Sequence, residues 1–540
     1  MNRTPILFVA TALAAFLPHL AASEKPGKSM KTLQLVEATI PDLQQAMDAK
    51  RLMAERLVRL YRARIDAYDK TGPAVNAFLY VNPKAEEEAR RLDAARGKAK
   101  ARGPLYGIPV LLKDNIDVAG MPTTAGSVAL AGSMPSGDAF ITCKLRAAGA
   151  VILGKGTLTE FANFFGASMP TGYSSLGGFG FNPYDPRPMP GGDGRPVLQT
   201  GGSSSGPGIA VNANLVTVAV GTETSGSILS PASSNGVVGI KPTLGLVSRH
   251  GILPITADQD TAGPIARTVT DAAILLGVLA GYDPADPATA ACLEPGHCHE
   301  DYTRFLDKKA LKGARIAVVT PIPPERAAIM NAAIDVLRAQ GADVQMLPSP
   351  FQAQLGPCVT YPPPADCSTV LLYGLKRDLS AYLAAMPYAA RRTIAEIIAF
   401  NKDYKPPMKY GQATFEAAQQ VDTSPDSADT KRYQADRAED LKRSRGALDA
   451  VFKNADAILS PANFFAGAPA KAGYPSITVP GGFVPPTAPV ENPFPFGVTF
   501  SGPAFSEPRL IALAYAFEQA THHRRPPAST PPLASDSISR

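Results

Sequence analysis

Three polar residues stand where they could do nucleophilic chemistry. Lys113 closes the apolar run Val110–Leu112, Ser203 sits in Gly201-Gly-Ser-Ser-Ser-Gly206, and Ser227 sits in Gly221-Thr-Glu-Thr-Ser-Gly-Ser-Ile-Leu-Ser-Pro231. A serine hydroxyl is a weak nucleophile until a neighbouring base takes its proton. A lysine held away from water loses basicity, because burial disfavours its charged form, and it then serves as a base near neutral pH. Glycine lets a backbone take positive φ and approach a bound group closely, exposing N–H donors. Taken one at a time, these features also have plain structural explanations. Glycine- and serine-rich segments form flexible connectors, and a lysine at a strand end can extend its ammonium into water. Of the six histidines, His19 falls in an N-terminal leader and none lies in a motif that points at Ser227, so a Ser-His-Asp triad has little support.

The elements that must position these residues alternate between strand and helix. Asn76–Asn82, Val110–Leu112, Val151–Leu153, Leu215–Val220, Val237–Ile240, Leu253–Ile255, Arg315–Val319, Tyr474–Pro480 and Phe496–Phe500 read as strands. Helical spacing marks Thr32–Tyr68, a charged helix from Pro83 to Ala101, Asp138–Ala148, Thr159–Phe165, Val269–Leu279, Arg326–Gln340, much of 385–450 and Leu510–Ala520. That rhythm predicts an α/β fold: one large domain with a central mixed, largely parallel β-sheet covered by helices. The expected organisation is a signal peptide over 1–23, a single domain over 24–525, and a proline- and serine-rich tail over 526–540 that is expected to be disordered. Asn182–Gln199 is a proline- and glycine-rich loop leading into Gly201.

The leader combines Arg3, the apolar stretch Ile6–Leu17 and the small residues Ala21-Ala22-Ser23, which implies cleavage near Ser23 and a periplasmic or secreted protein. The apolar stretch is shorter than the roughly 20 residues a membrane span needs, so no stable membrane insertion is expected once the leader is removed. Net charge is +6 with no basic run, which argues against a nucleic acid partner. Five cysteines (Cys143, Cys292, Cys298, Cys358 and Cys367) allow two local disulfides and one spare thiol in an oxidising compartment, with the pairing open. Cys292, His297, Cys298 and His299 also suggest a metal, but no second ligand cluster lies nearby, so no metal and no cofactor is expected.

Lys113 after an apolar strand, the Gly-Gly-Ser-Ser-Ser-Gly loop and Gly-Thr-Glu-Thr-Ser-Gly-Ser-Ile together resemble the amidase signature family. Ser203 and Ser227 are 24 residues apart, the separation of that family's two catalytic serines. The blocks Val238–Arg249, Gln259–Arg267, Ala472–Pro480 and Gly497–Phe500 are similar to its downstream segments, and the likeness runs over roughly 35–525. Thr-Glu-Thr-x-Gly-Ser-Ile and the leader look most like bacterial peptide amidases.

The resemblance implies Ser227 as nucleophile, Ser203 as the bridging serine after a cis peptide bond (here Gly202–Ser203), and Lys113 as base. It implies an oxyanion hole made by the backbone amides of Thr224, Ser225, Gly226 and Ser227. Such an enzyme hydrolyses a carboxamide to carboxylate and ammonia or amine through an acyl-enzyme, and its partner is the substrate itself, a small-molecule or peptide amide. C-terminally amidated peptides are the first expectation; aryl or fatty acyl amides are the alternative. A catalytically inactive amidase fold that binds peptides or amides is a reading from another class, and an amidotransferase subunit is disfavoured by the leader. Three departures stand out: Ser225 replaces the family's frequent glycine, Leu229 replaces a common arginine, and the 183–200 loop is long. Ser204 is expected to shape the loop or to bond to the lysine or backbone, and residues 350–410 are expected to contribute pocket walls.

Overall fold

The computed structural model describes residues 32–96, 103–166, 168–348, 354–404 and 408–538. The leader expected over 1–23 lies outside these residues. Eleven strands form the main sheet: β1 (Phe78–Val81), β2 (Pro109–Lys113), β3 (Val151–Gly156), β4 (Val218–Glu223), β5 (Val238–Lys241), β6 (Thr261–Ala266), β7 (Arg315–Thr320), β8 (Asp343–Pro348), β9 (Ala457–Pro461), β10 (Ser476–Val484) and β11 (Phe494–Ser501). Their order across the sheet is β8-β7-β9-β11-β10-β5-β6-β4-β2-β3-β1. Continuous apolar runs such as Val110-Leu-Leu and Val151-Ile-Leu are buried along their whole length, as strands covered on both faces must be.

The single α/β domain with a mixed, helix-covered sheet is as expected, but parallel pairing is less extensive than the strand–helix rhythm implies. It occurs in two patches, β4-β2-β3 and β9-β7-β8. Antiparallel pairing joins them through β11, β10, β5 and β6, and adds β1 at the edge. Helices Ser205–Asn212 and Leu229–Ser234 touch each other and lie against β4 and against β5, β10 and β11 respectively. Helices Val269–Leu279, Ala327–Ala339 and Glu507–Thr521 form another packed group. Helices between Val370 and Gln420 build a second apolar cluster that includes Leu372, Leu379, Ile397 and Phe415 and meets Phe161 and Phe165.

The strand expectations need local correction. Leu253–Ile255 is not a strand: the Ile255 and Thr256 amides donate to the Asp260 carboxylate at 2.7 and 2.9 Å instead of to a ladder. Conversely, β6 and β8 were not anticipated. The charged helix is described over Ala85–Ala95, and its expected continuation to Ala101 falls mainly on residues outside the description.

The tail is not disordered through 538. Ser537–Ile538 pairs antiparallel with Leu33–Gln34, and the Asp536 carboxylate meets the fully buried Arg64 guanidinium at 2.6 Å. A buried cation without a partner is costly, and the tail supplies that partner.

Cysteine pairing is local. Cys292 bonds Cys298, Cys358 bonds Cys367, and Cys143 is a free, exposed thiol. The first bridge takes both thiols of the suspected metal cluster, and His297 stacks on Phe505 with ring centroids 3.8 Å apart. Among the described residues no group of side chains could hold a metal ion, and no helix is long and apolar enough to cross a membrane.

Candidate active site

Lys113 ends β2, and its side chain is fully buried. Its Nζ lies 2.8 Å from Ser203 Oγ, 2.8 Å from Thr222 Oγ1 and 3.2 Å from the Thr222 carbonyl. Burial pushes the amine down to about 7, opposed by the negative charges of Asp260 and Glu223. A neutral amine has two N–H donors and one lone pair. With the two Thr222 oxygens taking the donors, the lone pair is left for the Ser203 hydroxyl. Thr222, on β4, is thus the orienting group for the lysine, and the Asn115 amide donates to its hydroxyl at 3.1 Å.

The two glycine-serine loops are brought together by direct bonds. The Ser204 amide donates to the Ser227 carbonyl at 3.2 Å, and the Gly202 amide donates to Ser230 Oγ at 3.4 Å. Gly201 has φ +67°, and a Cβ there would lie 2.6 Å from the Ser230 carbonyl oxygen, so only glycine permits the approach. The Gly202–Ser203 peptide bond is cis, at the position the resemblance implies. The Ser203 carbonyl accepts from the Thr159 amide at 3.0 Å. Ser203 is fully buried, while Ser227 retains 8% exposure. Ser204 does not reach the lysine. Its hydroxyl donates to the Thr222 carbonyl at 3.0 Å and accepts from the Thr222 amide at 3.2 Å, pinning the serine loop to β4.

The loop from Thr224 to Ser227 is shaped by two carboxylates, the buried Glu223 and the half-buried Asp260. Glu223 Oε1 accepts from the Gly226 amide at 2.6 Å, and its Oε2 accepts from the Ile228 and Leu229 amides at 2.7 and 3.1 Å. Asp260 accepts from the Thr224 hydroxyl at 2.5 Å, and burial pushes its carboxyl up to about 6.

One of the four expected oxyanion donors is therefore corrected. The Gly226 N–H is engaged by Glu223, whereas the amides of Thr224, Ser225 and Ser227 have no protein acceptor among the described residues. Gly226 matters for its conformation instead: φ is +82°, and a Cβ would come within 3.1 Å of Asn463 Nδ2.

Ser225 is exposed and keeps a negative φ, so its Cβ does not disturb the turn. Leu229 is buried, 1% exposed, where an arginine would need a partner for its charge.

The long 183–200 loop is tied down near its start and at its middle. Arg187 pairs with Asp185 and Glu491, while Asp193 bonds Arg195 and the Tyr410 hydroxyl. Thr222, Glu223 and Asp260 were not singled out from the sequence, although Glu223 lies inside the quoted motif and Asp260 inside a quoted block.

Comparison with known proteins places the chain in a family. The family model described as Amidase matches residues 56–471. The native peptide amidase from Stenotrophomonas maltophilia superposes with a TM-score of 0.80 at 40% identity, covering 92% of this chain and 99% of that one. An amidase family protein from Bacillus anthracis gives a TM-score of 0.80 at 35% identity, covering 91% and 92%. A probable amidase of Arabidopsis thaliana is 39% identical over 510 residues, 92% of each chain. With the model spanning most of the sequence, and relatives this similar over nearly their full length, the chain belongs to the amidase signature family of amide-hydrolysing enzymes.

Proposed function

We propose that this amidase cleaves primary carboxamides through an acyl-enzyme on Ser227, with Ser203 and Lys113 relaying the proton, and that C-terminally amidated peptides are its substrates. The observation that carries the relay is the 2.8 Å contact between Lys113 Nζ and Ser203 Oγ, made by an amine held near neutrality. Neutral Lys113 takes the Ser203 proton as Ser203 takes that of Ser227. Ser227 Oγ then bonds to the carbonyl carbon, and the carbonyl electron pair moves onto oxygen, facing the amides of Thr224, Ser225 and Ser227. The relay run backwards protonates the leaving nitrogen, and the C–N bond breaks. Water, deprotonated by the same relay, releases the carboxylate and restores Ser227.

The peptide amide substrate rests on similarity to the Stenotrophomonas maltophilia peptide amidase, and export to the periplasm or beyond rests on the leader Met1–Ser23.

Ammonia release from an amidated dipeptide is the direct test. Ser227→Ala should abolish it, and mass spectrometry of quenched wild-type enzyme should find the acyl group on Ser227. Undiminished turnover in Ser227→Ala would remove the acyl-enzyme. Failure of a fluorophosphonate to label Ser227 would favour an inactive, amide-binding protein. The N-terminus of the secreted protein, read by sequencing, tests the cleavage near Ser23.

A further inference from the structure

Segment 256–260 has two sides. On one it holds Thr224, which opens the loop that carries Ser227. The Gln259 side-chain amide donates to the Thr224 carbonyl at 3.3 Å, and the Asp260 carboxylate accepts from the Thr224 hydroxyl at 2.5 Å. The same carboxylate takes the Ile255 and Thr256 amides, which closes the segment on itself.

On the other side the segment meets the helices around the second apolar cluster. The Asp258 carboxylate accepts from the Tyr433 hydroxyl at 2.8 Å and from Arg377 Nη2 at 3.3 Å, and it pairs with Arg437 Nε at 3.3 Å. Arg437 Nη2 also donates to the Asp258 carbonyl at 3.1 Å, and the Ala257 amide donates to the Asp378 carboxylate at 2.7 Å. Arg377 and Asp378 belong to a π-helical turn, Leu375–Leu379, set between helices Val370–Gly374 and Ser380–Ala385. Such turns are rare and occur frequently at functional positions. A Cβ on Gly374, just before it, would lie 2.2 Å from Thr256 Oγ1, so glycine is what lets the two segments meet.

The groups that hold Asp258 are themselves held. The Tyr373 and Tyr433 rings stack with centroids 4.1 Å apart and planes 7° from parallel. Arg377 lies 5.2 Å from the Tyr433 centroid and donates to the Tyr433 hydroxyl at 2.8 Å. Hydrogen bonds from charged donors to a carboxylate are roughly twice as strong as neutral ones. Three donor side chains converging on Asp258 therefore fix the segment whose next two side chains grip Thr224.

We propose that Asp258 is a positioning residue for amide hydrolysis: it anchors segment 256–260 to Tyr433, Arg377 and Arg437, and through Gln259 and Asp260 that anchor sets the loop that presents Ser227. Asp258 acts through its neighbours and touches neither Ser227 nor Lys113. The inference rests on the reading of Ser227 as nucleophile and adds what places its loop.

The full-length enzyme would be assayed on N-acetyl-phenylalanyl-leucinamide. Asp258→Ala should lower kcat about a hundredfold, the effect of a 1 Å misplacement, and Tyr433→Phe less. KM should be unchanged, because an interaction made only in the transition state lowers kcat and kcat/KM alike. Asp258→Asn keeps an acceptor for the Tyr433 hydroxyl and should recover part of the loss. The losses should not add, so Tyr433→Phe should cost nothing further in an Asp258→Ala background.

Asp436→Ala is the control. It loosens the same helix, Ala428–Phe452, from Thr369, whose amide and hydroxyl donate to Asp436 at 2.9 and 2.7 Å, and it leaves the contacts of segment 256–260 in place. Its kcat should match the wild type. Unchanged kcat in Tyr433→Phe, an equal fall in Asp436→Ala, or additive losses would each overturn the proposal. Tyr433→Phe and the control decide it if Asp258→Ala does not fold.

Hydrogen exchange separates this from failure of the reading on which it rests. If the wild type releases no ammonia, or Ser227→Ala retains turnover, that reading fails and exchange in a peptide spanning 222–229 decides. Faster exchange there in Tyr433→Phe than in Asp436→Ala sustains the anchor. Equal exchange in the two variants removes it.

Discussion

Glu223 accepts the Gly226 amide at 2.6 Å, and this contact sets the turn that presents Ser227. The same carboxylate takes the Ile228 and Leu229 amides with its second oxygen, so one side chain organises the backbone on both sides of Ser227. Glu223→Gln keeps one acceptor but turns an NH2 group toward an N–H donor. A buried group left unsatisfied costs about 1–3 kcal/mol, which should appear as lower stability in urea denaturation. Displacing the proposed oxyanion donors should lower kcat by about a hundredfold or more, the range for loss of one such donor. A variant with wild-type kcat would mean that the loop holds its shape without Glu223.

Asp260 and Lys113 are coupled through charge. The Asp260 carboxylate raises the lysine pKa against the burial that brings it to about 7. In the proposed relay Lys113 must be neutral to accept the Ser203 proton, so kcat/KM should rise with pH through about 7 and level off above it. Removing the negative charge lets burial act further, so Asp260→Asn should move this acid limb to lower pH. A limb that stays in place or moves upward would show that Asp260 does not support the lysine's charge. Because Asp260 also holds the Thr224 hydroxyl, the height of the plateau should fall as well; the position of the limb isolates the electrostatic part.

The same lysine makes stability depend on pH in a direction fixed by its shift. In the folded enzyme the amine titrates near 7, whereas a free lysine titrates near 10.4. Between those values the unfolded chain binds a proton that the folded enzyme lacks. The contribution of this site therefore grows with rising pH, by up to about 1.4 kcal/mol per unit, and flattens below about 7, where both states are protonated. Lys113→Met removes the term along with activity. The difference in unfolding free energy between wild type and Lys113→Met should move in favour of the wild type from pH 7.5 to 9.5. Parallel curves would mean that the folded lysine keeps its ordinary basicity.

The triad candidates were legible because their motif is local and their spacing is characteristic: each of Lys113, Ser203 and Ser227 is marked by its own neighbours in sequence. The groups that orient them are not marked in this way. Thr222 and Glu223 act through side chains whose partners depend on how the chain folds back after β4. Asp260 reaches Thr224 because β6 pairs antiparallel with β4, Thr261 opposite Glu223. That strand was hidden by Gly263 and Pro264 at its centre, residues that usually argue against a central strand. The strand–helix rhythm conveyed the class of fold, but not that antiparallel strands would separate two parallel patches. The tail was misjudged for a related reason. Its composition is that of a segment without a core, and nothing local reveals that Asp536 is the counterion of a buried arginine far away in sequence.

That pairing can be tested without touching the reaction. Arg64 lies fully buried, and besides Asp536 it donates to the carbonyls of Ala213, Asn214, Thr530 and Pro531. Asp536→Ala leaves the guanidinium without its only carboxylate among the described residues, and breaking one side of a buried ion pair costs about 3–5 kcal/mol. Asp536→Asn keeps oxygen and shape while losing the charge, so it should cost less. Neither residue touches Lys113, Ser203 or Ser227, so kcat and KM below the unfolding transition should match the wild type. If Asp536→Ala changes stability by less than about 0.5 kcal/mol, the scale of an ordinary surface substitution, then residues 526–538 detach in solution. In that case the original expectation of a loose tail is restored.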